Sequence, residues 1–381
     1  MKNKRETVIP VLLGILVSIV LLFVIKVFVL DKMTKTNDNM NINETNAAST
    51  NINESNISGT EEDNGKKSNQ VSMIFGGDFL LSNEMLNAYN KNGGSLNNIM
   101  SEGLQKEFVD ADIAMVNNEF PYSNRGTKAQ DKQYTFRADP SNVKILNEMG
   151  VDIVSLANNH ALDFGVDALI DSMEALKGAS ILYGGAGNNL DEAKEIKYIE
   201  KNNKKVAFLC ATRVIPVSEW NATSDRAGLF TTYDSSNLVA QITESENNAD
   251  ATIVFVHWGV ERAENPEDYQ RELAKKYIDA GADMVIGAHS HCLQGMEVYN
   301  GKLITYSLGN FIFNGRYNKT MALKAIINED KSIKAQFIPC ESSSYKTYIA
   351  EDSKAQEIRD YYKSISFDID MDDDGYININ W

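Results

Sequence analysis

Cysteine is close to absent from this chain. Its three cysteines (Cys210, Cys292 and Cys340) in 381 residues are too few and too scattered for a disulfide framework, and the odd count leaves at least one unpaired. All three read as buried thiols, including Cys292 beside His291. Positive charge is short as well: 37 Lys and Arg stand against 53 Asp and Glu, a net charge of −16. Without a local basic run, that balance disfavours a nucleic-acid groove, and no nucleic-acid partner is expected. No segment repeats at a fixed period, which argues against a solenoid. Histidine numbers only four, so where each one falls carries information.

All four histidines follow short, apolar, β-branched runs of the kind expected for strands covered on both faces. His160 ends Ser155-Leu-Ala-Asn-Asn-His160, His257 opens His257-Trp-Gly259, and His289 and His291 close Gly287-Ala-His-Ser-His291. Two further runs end in acids, Val71-Ser-Met-Ile-Phe-Gly-Gly-Asp78 and Ile113-Ala-Met-Val-Asn-Asn-Glu119. Ligands in open α/β sheets collect at the carboxyl ends of strands. The five runs therefore predict one site containing Asp78, Glu119, Asn159, His160, His257, His289 and His291. Imidazole mixed with carboxylate suits Mn, Fe or Zn, whereas Mg and Ca prefer oxygen alone. Arg137, Arg213 and Arg262 are candidates for holding an anionic group bidentately. Glu261 and Asp163 each have two readings, a partner behind a site histidine or a local loop contact, and for Asp163 the structural reading is preferred.

The amino terminus predicts a membrane anchor. Residues 1–7 carry a basic flank and are read as cytoplasmic, and Val8 to Leu30 is apolar over about the length that crosses a bilayer. No small-residue cleavage site follows it, so an uncleaved signal anchor with the globular part extracytoplasmic is expected. Residues 31–69, rich in Asn, Ser and Thr, read as a disordered tether. The folded domain is expected over 70–340, with a carboxy-terminal extension over 341–381 packed on it.

Within the domain, strand and helix patterns alternate. Helices are predicted at 83–90, 96–108, 141–149, 164–177 and 266–280, several of them stopped by glycine. Asn202-Asn203 and Asn300-Gly301 each join two β-rich runs and predict hairpins over 197–211 and 293–306. This mixture points to an α/β sandwich of two sheets flanked by helices. Asp370-Met-Asp-Asp-Asp-Gly375 opens like a calcium loop, but its twelfth position is Trp381 instead of the bidentate Glu, so it reads as a tight acidic turn.

The ordered motifs Gly77-Asp78, Asn118-Glu119, Phe136-Arg-Ala-Asp-Pro140, Asn158-Asn-His-Ala-Leu-Asp-Phe-Gly165, His257-Trp-Gly-Val-Glu261, Gly287-Ala-His-Ser-His291 and Ser307-Leu-Gly-Asn-Phe311 resemble the CapA family of capsule-synthesis proteins over roughly 72–313. The resemblance implies a calcineurin-like metallophosphatase fold and a part in poly-gamma-glutamate capsule biosynthesis. It further implies that Asp78 and His291 serve a first metal, that Asn159, His257 and His289 serve a second, and that Glu119 bridges them. His160 would be the proton donor. The phosphatase pattern calls for a histidine at position 80, where this chain has Leu80, so one or two ions are both compatible with the motif set. Three functions follow: a metal-dependent hydrolase of a phosphorylated or polyanionic substrate, a non-catalytic assembly or export subunit working with other capsule-synthesis membrane subunits, and a binding module with a structural metal.

Overall fold

The computed structural model of the protein describes residues 69–130, 132–315 and 318–379. The expected membrane span at 8–30 and, apart from Asn69, the expected tether lie outside them. Among the described residues, no helix is long and apolar enough to cross a membrane.

Two sheets form the core of the domain. The first orders its strands Lys346–Ile349, Ile333–Ser343, Asn318–Ile327, Val71–Phe79, Ile113–Asn118, Ile153–Ser155 and Leu182–Gly184, with Asn310–Ile312 and Tyr376–Ile377 as side branches. The second orders Leu293–Tyr299, Lys302–Leu308, Met284–Ala288, Ala251–His257, Lys204–Thr212 and Lys197–Lys201. Val71–Phe79, Ile113–Asn118 and Ile153–Ser155 run parallel in the first sheet, as Lys204–Thr212, Ala251–His257 and Met284–Ala288 do in the second.

The two-residue period of a strand divides each sequence between two cores. Met73 and Phe75 of the first sheet pack against Phe208, Ile253, Phe255 and Ile286 of the second. Their neighbours Ala207, Leu209, Val254 and Val256 face the opposite way, onto the helices Ser236–Glu246 and Asp268–Asp279. On the outer face of the first sheet, Ile74, Ala114 and Val154 meet Leu104 and Phe108 of Glu102–Asp110 and Leu169 and Leu176 of Val166–Gly178. Burial on both faces is why these strands read as continuous apolar runs. The result is a mixed α/β fold in which two large sheets face each other, with a further two-stranded sheet formed by Ala186–Gly187 and Gly228–Leu229.

Several local expectations change. The helix predicted over 96–108 is a 3-10 turn, Leu96–Asn98, followed by a separate helix that starts after Ser101, whose hydroxyl accepts from the Leu104 amide and caps it. The segment 141–149 is likewise part 3-10 helix and part α-helix, with the Asp139 side chain capping its start. Three α-helices, Leu190–Ala193, Ser236–Glu246 and Asp352–Ser364, lie outside the expected ones. The strand Ile333–Ser343 runs through residue 340, and the residues beyond it add strands to the first sheet. Ala355, Ile358 and Tyr362 also enter the core between the sheets. The segment from 341 is therefore part of the sandwich, not an extension lying on a finished domain. The acidic turn forms as read: the Asp372 carboxylate accepts from the amides of Asp374 and Tyr376. Cys210 and Cys340 are buried, whereas Cys292 is only half-buried, its thiol donating to the Ala263 carbonyl at 3.4 Å.

Candidate metal centre

Each chemical side chain lies at or just past a strand's carboxyl end, on the edge the two sheets share. Asp78 ends the Val71–Phe79 strand beside Gly77, where an added Cβ would sit 1.9 Å from the Gly309 carbonyl oxygen. That absence of a side chain lets the Asp78 amide donate to Gly309 at 2.9 Å. Glu119 follows Ile113–Asn118, the segment Asn158 to His160 turns away from Ile153–Ser155, and His257 closes Ala251–His257. His289 and His291 follow Met284–Ala288 with φ of 99° and 56°. Left-handed backbone at two non-glycine residues is costly and tends to persist where function requires it.

These side chains converge. His257 Nε2 lies 2.8 Å from Asn159 Oδ1 and 3.6 Å from Glu119 Oε1. His291 Nδ1 lies 3.3 Å from Asp78 Oδ2 and 4.0 Å from Glu119 Oε2. The imidazole rings of His257 and His289 are 4.5 Å apart, and those of His289 and His291 are 5.9 Å apart. Two overlapping triads, Glu119 with His289 and His291, and Asp78 with Glu119 and His257, bring their donor atoms within 4.8 Å of one another, with Glu119 common to both. The donor set fits a divalent metal on a further observation. Both carboxylate oxygens of Glu119 and Nδ1 of His289 are buried and accept or donate no hydrogen bond. Leaving such atoms unpaired is expensive, and a cation would satisfy all three.

The electrostatics agree. Burial, and next the charge of Asp78, push the Glu119 carboxyl well above its usual range. Burial and the neighbouring histidines hold His257 well below the ordinary imidazole value, and burial with His291 brings His289 down to about 3. His291 goes the other way: burial opposes its charge, but Glu119 and Asp78 prevail and raise it to about 10. In the ion-free protein, the His291 proton supplies the positive charge that the carboxylates require.

His160 stands beside this cluster. Its Nδ1 is 2.7 Å from Asp163 Oδ2, and its ring centroid is 5.0 Å from that of Phe136. Asp163 is fully buried, accepts from the Phe136 amide at 2.7 Å, and pairs with Lys132. Lys132 also donates to the Asn159 carbonyl and reaches His160 Nδ1 at 3.0 Å. The local, structural reading of Asp163 is thus only half the account, since the same carboxylate holds the His160 ring.

Other expected residues stay apart. No hydrogen bond or ion pair joins the three guanidinium groups to the cluster. Arg137 is exposed and lies over the Phe164 ring at 4.2 Å. Arg213 donates to the Thr232 carbonyl at 2.9 Å and lies over the rings of Tyr269 at 4.7 Å and Tyr233 at 5.4 Å. Arg262 contributes its backbone, the amide donating to the Ser290 carbonyl at 2.6 Å. Glu261 is exposed and acts on Glu119, Lys132 and His291 only through space. The partner behind His257 is Asn117, whose amide nitrogen is 3.1 Å from Nδ1 and donates to Asp78 at 2.8 Å. Asn158 in turn donates to Asn117 at 3.2 Å, and Asn310 Oδ1 is 2.9 Å from His291 Nδ1. Asn117, Asn158 and Asn310 lie in motifs visible in the sequence, Asn117 near the end of Ile113–Asn118, Asn158 just past Ile153–Ser155 and Asn310 at the start of Asn310–Ile312. Lys132 comes from a polar loop with no distinguishing pattern.

Residues 72–315, more than half the chain, match the bacterial capsule synthesis protein PGA_cap family. The chain belongs to that family. Among its relatives, it is 35% identical over 215 residues to the PGA biosynthesis protein CapA of Bacillus subtilis (strain 168), covering 56% of each chain. It is 31% identical over 262 residues to the capsule biosynthesis protein CapA of Bacillus anthracis, covering 67% of this chain and 62% of that one. The match thus spans less than two thirds of either relative's length. Among solved structures, a novel phosphatase from Mycoplasma pneumoniae aligns over 72% of this chain and 95% of its own, with 13% identity and a TM-score of 0.45. That likeness is too distant to bear on activity.

Proposed function

We propose that this capsule-biosynthesis family member is a membrane-anchored, extracytoplasmic metal-dependent hydrolase that holds one or two divalent transition ions (Mn, Fe or Zn) and acts on a phosphorylated or otherwise anionic substrate, such as a capsule polymer. The observation that carries the reading is the buried, hydrogen-bond-free Glu119 carboxylate, shared by the Glu119–His289–His291 and Asp78–Glu119–His257 triads, with Asn159 beside His257. Glu119 would hold ions from both sides. When bound, such ions would supply Lewis acidity toward a phosphoryl oxygen and acidify attacking water.

The chain's own residues supply the proton. Asp163 engages Nδ1 of His160 and fixes the ring, which leaves Nε2 as the edge free to hand a proton to a leaving oxygen. Burial lowers the His160 pKa, and the bond and charge of Asp163 oppose it. Phe136 covers one side of the ring and limits water. Asn117 sets the orientation of both Asp78 and His257.

The test is hydrolysis of an aryl phosphate by the purified full chain. Turnover that needs Mn or Zn and is lost in His257→Ala and His160→Ala is the expected result. Leu80 favours a second reading, a non-catalytic assembly or export subunit, because this buried apolar side chain stands where the resemblance implies a ligand histidine. Metal binding without turnover on a broad panel of phosphoesters, together with co-purification of other membrane components, would replace the first reading with the second.

A further inference from the structure

Leu80 is part of the outer core of the first sheet and has no donor atom to offer. What faces His291 and Asp78 instead is Asn310. The strand Asn310–Ile312 pairs in parallel with Val71–Phe79, with Asp78 and Asn310 as register partners. The junction is tight: the Asp78 amide bonds to the Gly309 carbonyl, Gly309 has a φ of 72°, and a side chain at Gly77 would collide with it. The backbone therefore clamps Asn310 beside Asp78, and its Oδ1 lies 2.9 Å from His291 Nδ1. That same nitrogen is 3.3 Å from Asp78 Oδ2 and 4.0 Å from Glu119 Oε2.

In the ion-free protein the 2.9 Å contact is a hydrogen bond, and the same set of separations is close to that of donor atoms sharing an ion. A cation holding oxygen and nitrogen at about 2.1 Å sets adjacent donors about 3.0 to 3.4 Å apart and opposite donors about 4.2 Å apart. Glu119, with both oxygens buried and unpaired, aims into the same space. We propose that Asn310, through Oδ1, is the ligand that replaces the missing histidine, giving the first ion position three oxygen donors (Asp78, Glu119 and Asn310) and one nitrogen donor (His291). The second position, which the resemblance assigns to His257, His289, Asn159 and Glu119, has two nitrogens. The inference rests on the metal reading above and adds an asymmetry to it. The oxygen-rich position takes a hard ion such as Mn²⁺, and the nitrogen-richer one takes Zn²⁺.

The test measures binding, apart from turnover. The purified full chain, stripped with chelator, is titrated with Mn²⁺ and with Zn²⁺, and bound metal is read by elemental analysis and by the electron paramagnetic resonance of Mn²⁺. The expected result is two ions per wild-type chain and one per Asn310→Ala chain, with Mn²⁺ affinity at the remaining position unaltered. Asn310→Asp, which keeps shape and adds charge, retains both ions and tightens Mn²⁺ by roughly 10-fold or more, within the range by which neighbours tune metal sites. It also serves as the control if the alanine variant fails to fold. Wild-type stoichiometry and Mn²⁺ affinity in Asn310→Ala, or an unchanged or weaker Mn²⁺ affinity in Asn310→Asp, would overturn the inference and leave the metal reading standing. A wild-type chain that binds neither ion would overturn both.

Discussion

Two glutamates of this protein are almost equally buried and have opposite surroundings. Glu297 is 8% exposed, and its carboxylate is saturated: Arg271 donates twice, at 3.1 and 3.2 Å, Tyr306 donates at 2.7 Å, and Lys275 lies at 2.8 Å. Glu119 is 1% exposed and accepts no hydrogen bond at either oxygen. Burial pushes both carboxyls up, but at Glu297 the bonds from Lys275, Tyr306 and Arg271 outweigh it and leave the pKa lowered, whereas at Glu119 the nearby Asp78 adds to it. A saturated acid is a structural tie between a helix and a sheet. An orphaned one among imidazoles costs free energy that only a cation recovers. The contrast separates architecture from candidate chemistry better than burial or charge alone.

Variants can break this contrast. The largest effect is expected at the His160 and Asp163 pair beside the orphaned acid. His160→Ala should lower metal-dependent turnover by about 10² to 10⁴, the worth of a positioned acid, with bound metal unchanged by elemental analysis. Glu297→Gln should leave turnover alone.

Next comes stability. A divalent ion at 100 times its Kd should stabilise the wild-type chain by about 2.7 kcal/mol. Glu119→Gln should abolish that gain in a thermal melt at little cost to the ion-free protein, because burial and Asp78 together outweigh the attraction between its charge and His291. Loss of stability in ion-free Glu119→Gln would show that the carboxylate is tied structurally after all.

Glu297→Gln should instead cost about 1.5 to 3 kcal/mol near neutral pH, the range for hydrogen bonds to a charged group. The sign with pH follows from its lowered pKa. The stabilisation is present above the ordinary value of 4.5 and is lost as pH falls through the depressed folded value, so the gap between wild type and variant should close in acid. Denaturant melts from pH 7 downward would read this directly.

The smallest effect is expected at Lys132, whose charge depresses His160 after burial has done so. Lys132→Met should move the His160 limb of the pH–rate profile to higher pH. A limb unmoved, or moved down, would remove Lys132 from the proton-handling group.

Much of the fold was legible because its signals are local. The strands around Phe75, Met115, Phe255 and Ile286 announce themselves as buried runs, and the turns at Asn202-Asn203 and Asn300-Gly301 join the hairpins that form. Asp352–Ser364 and the long pair Asn318–Ile327 and Ile333–Ser343 lie outside the expected elements, although Ile333, Ala335 and Phe337 do alternate with the less buried Lys334 and Gln336. Site residues that close strands were readable in the same way. Arg137, Arg213 and Glu261 were not, because where a long charged side chain ends depends on which rings and carbonyls the fold sets beside it.

The order of residues alone determined which side chains arrive at strand ends: Asp78, Glu119, Asn159, His257, His289 and His291 are placed by periodicity and chain direction, which short-range sterics dictate. Only the tertiary structure decided which of them remain unsatisfied. Whether a buried carboxylate meets Arg271 and Tyr306 or meets nothing is set by register between strands far apart in the chain, and hydrogen bonding falls off within a few tenths of an ångström.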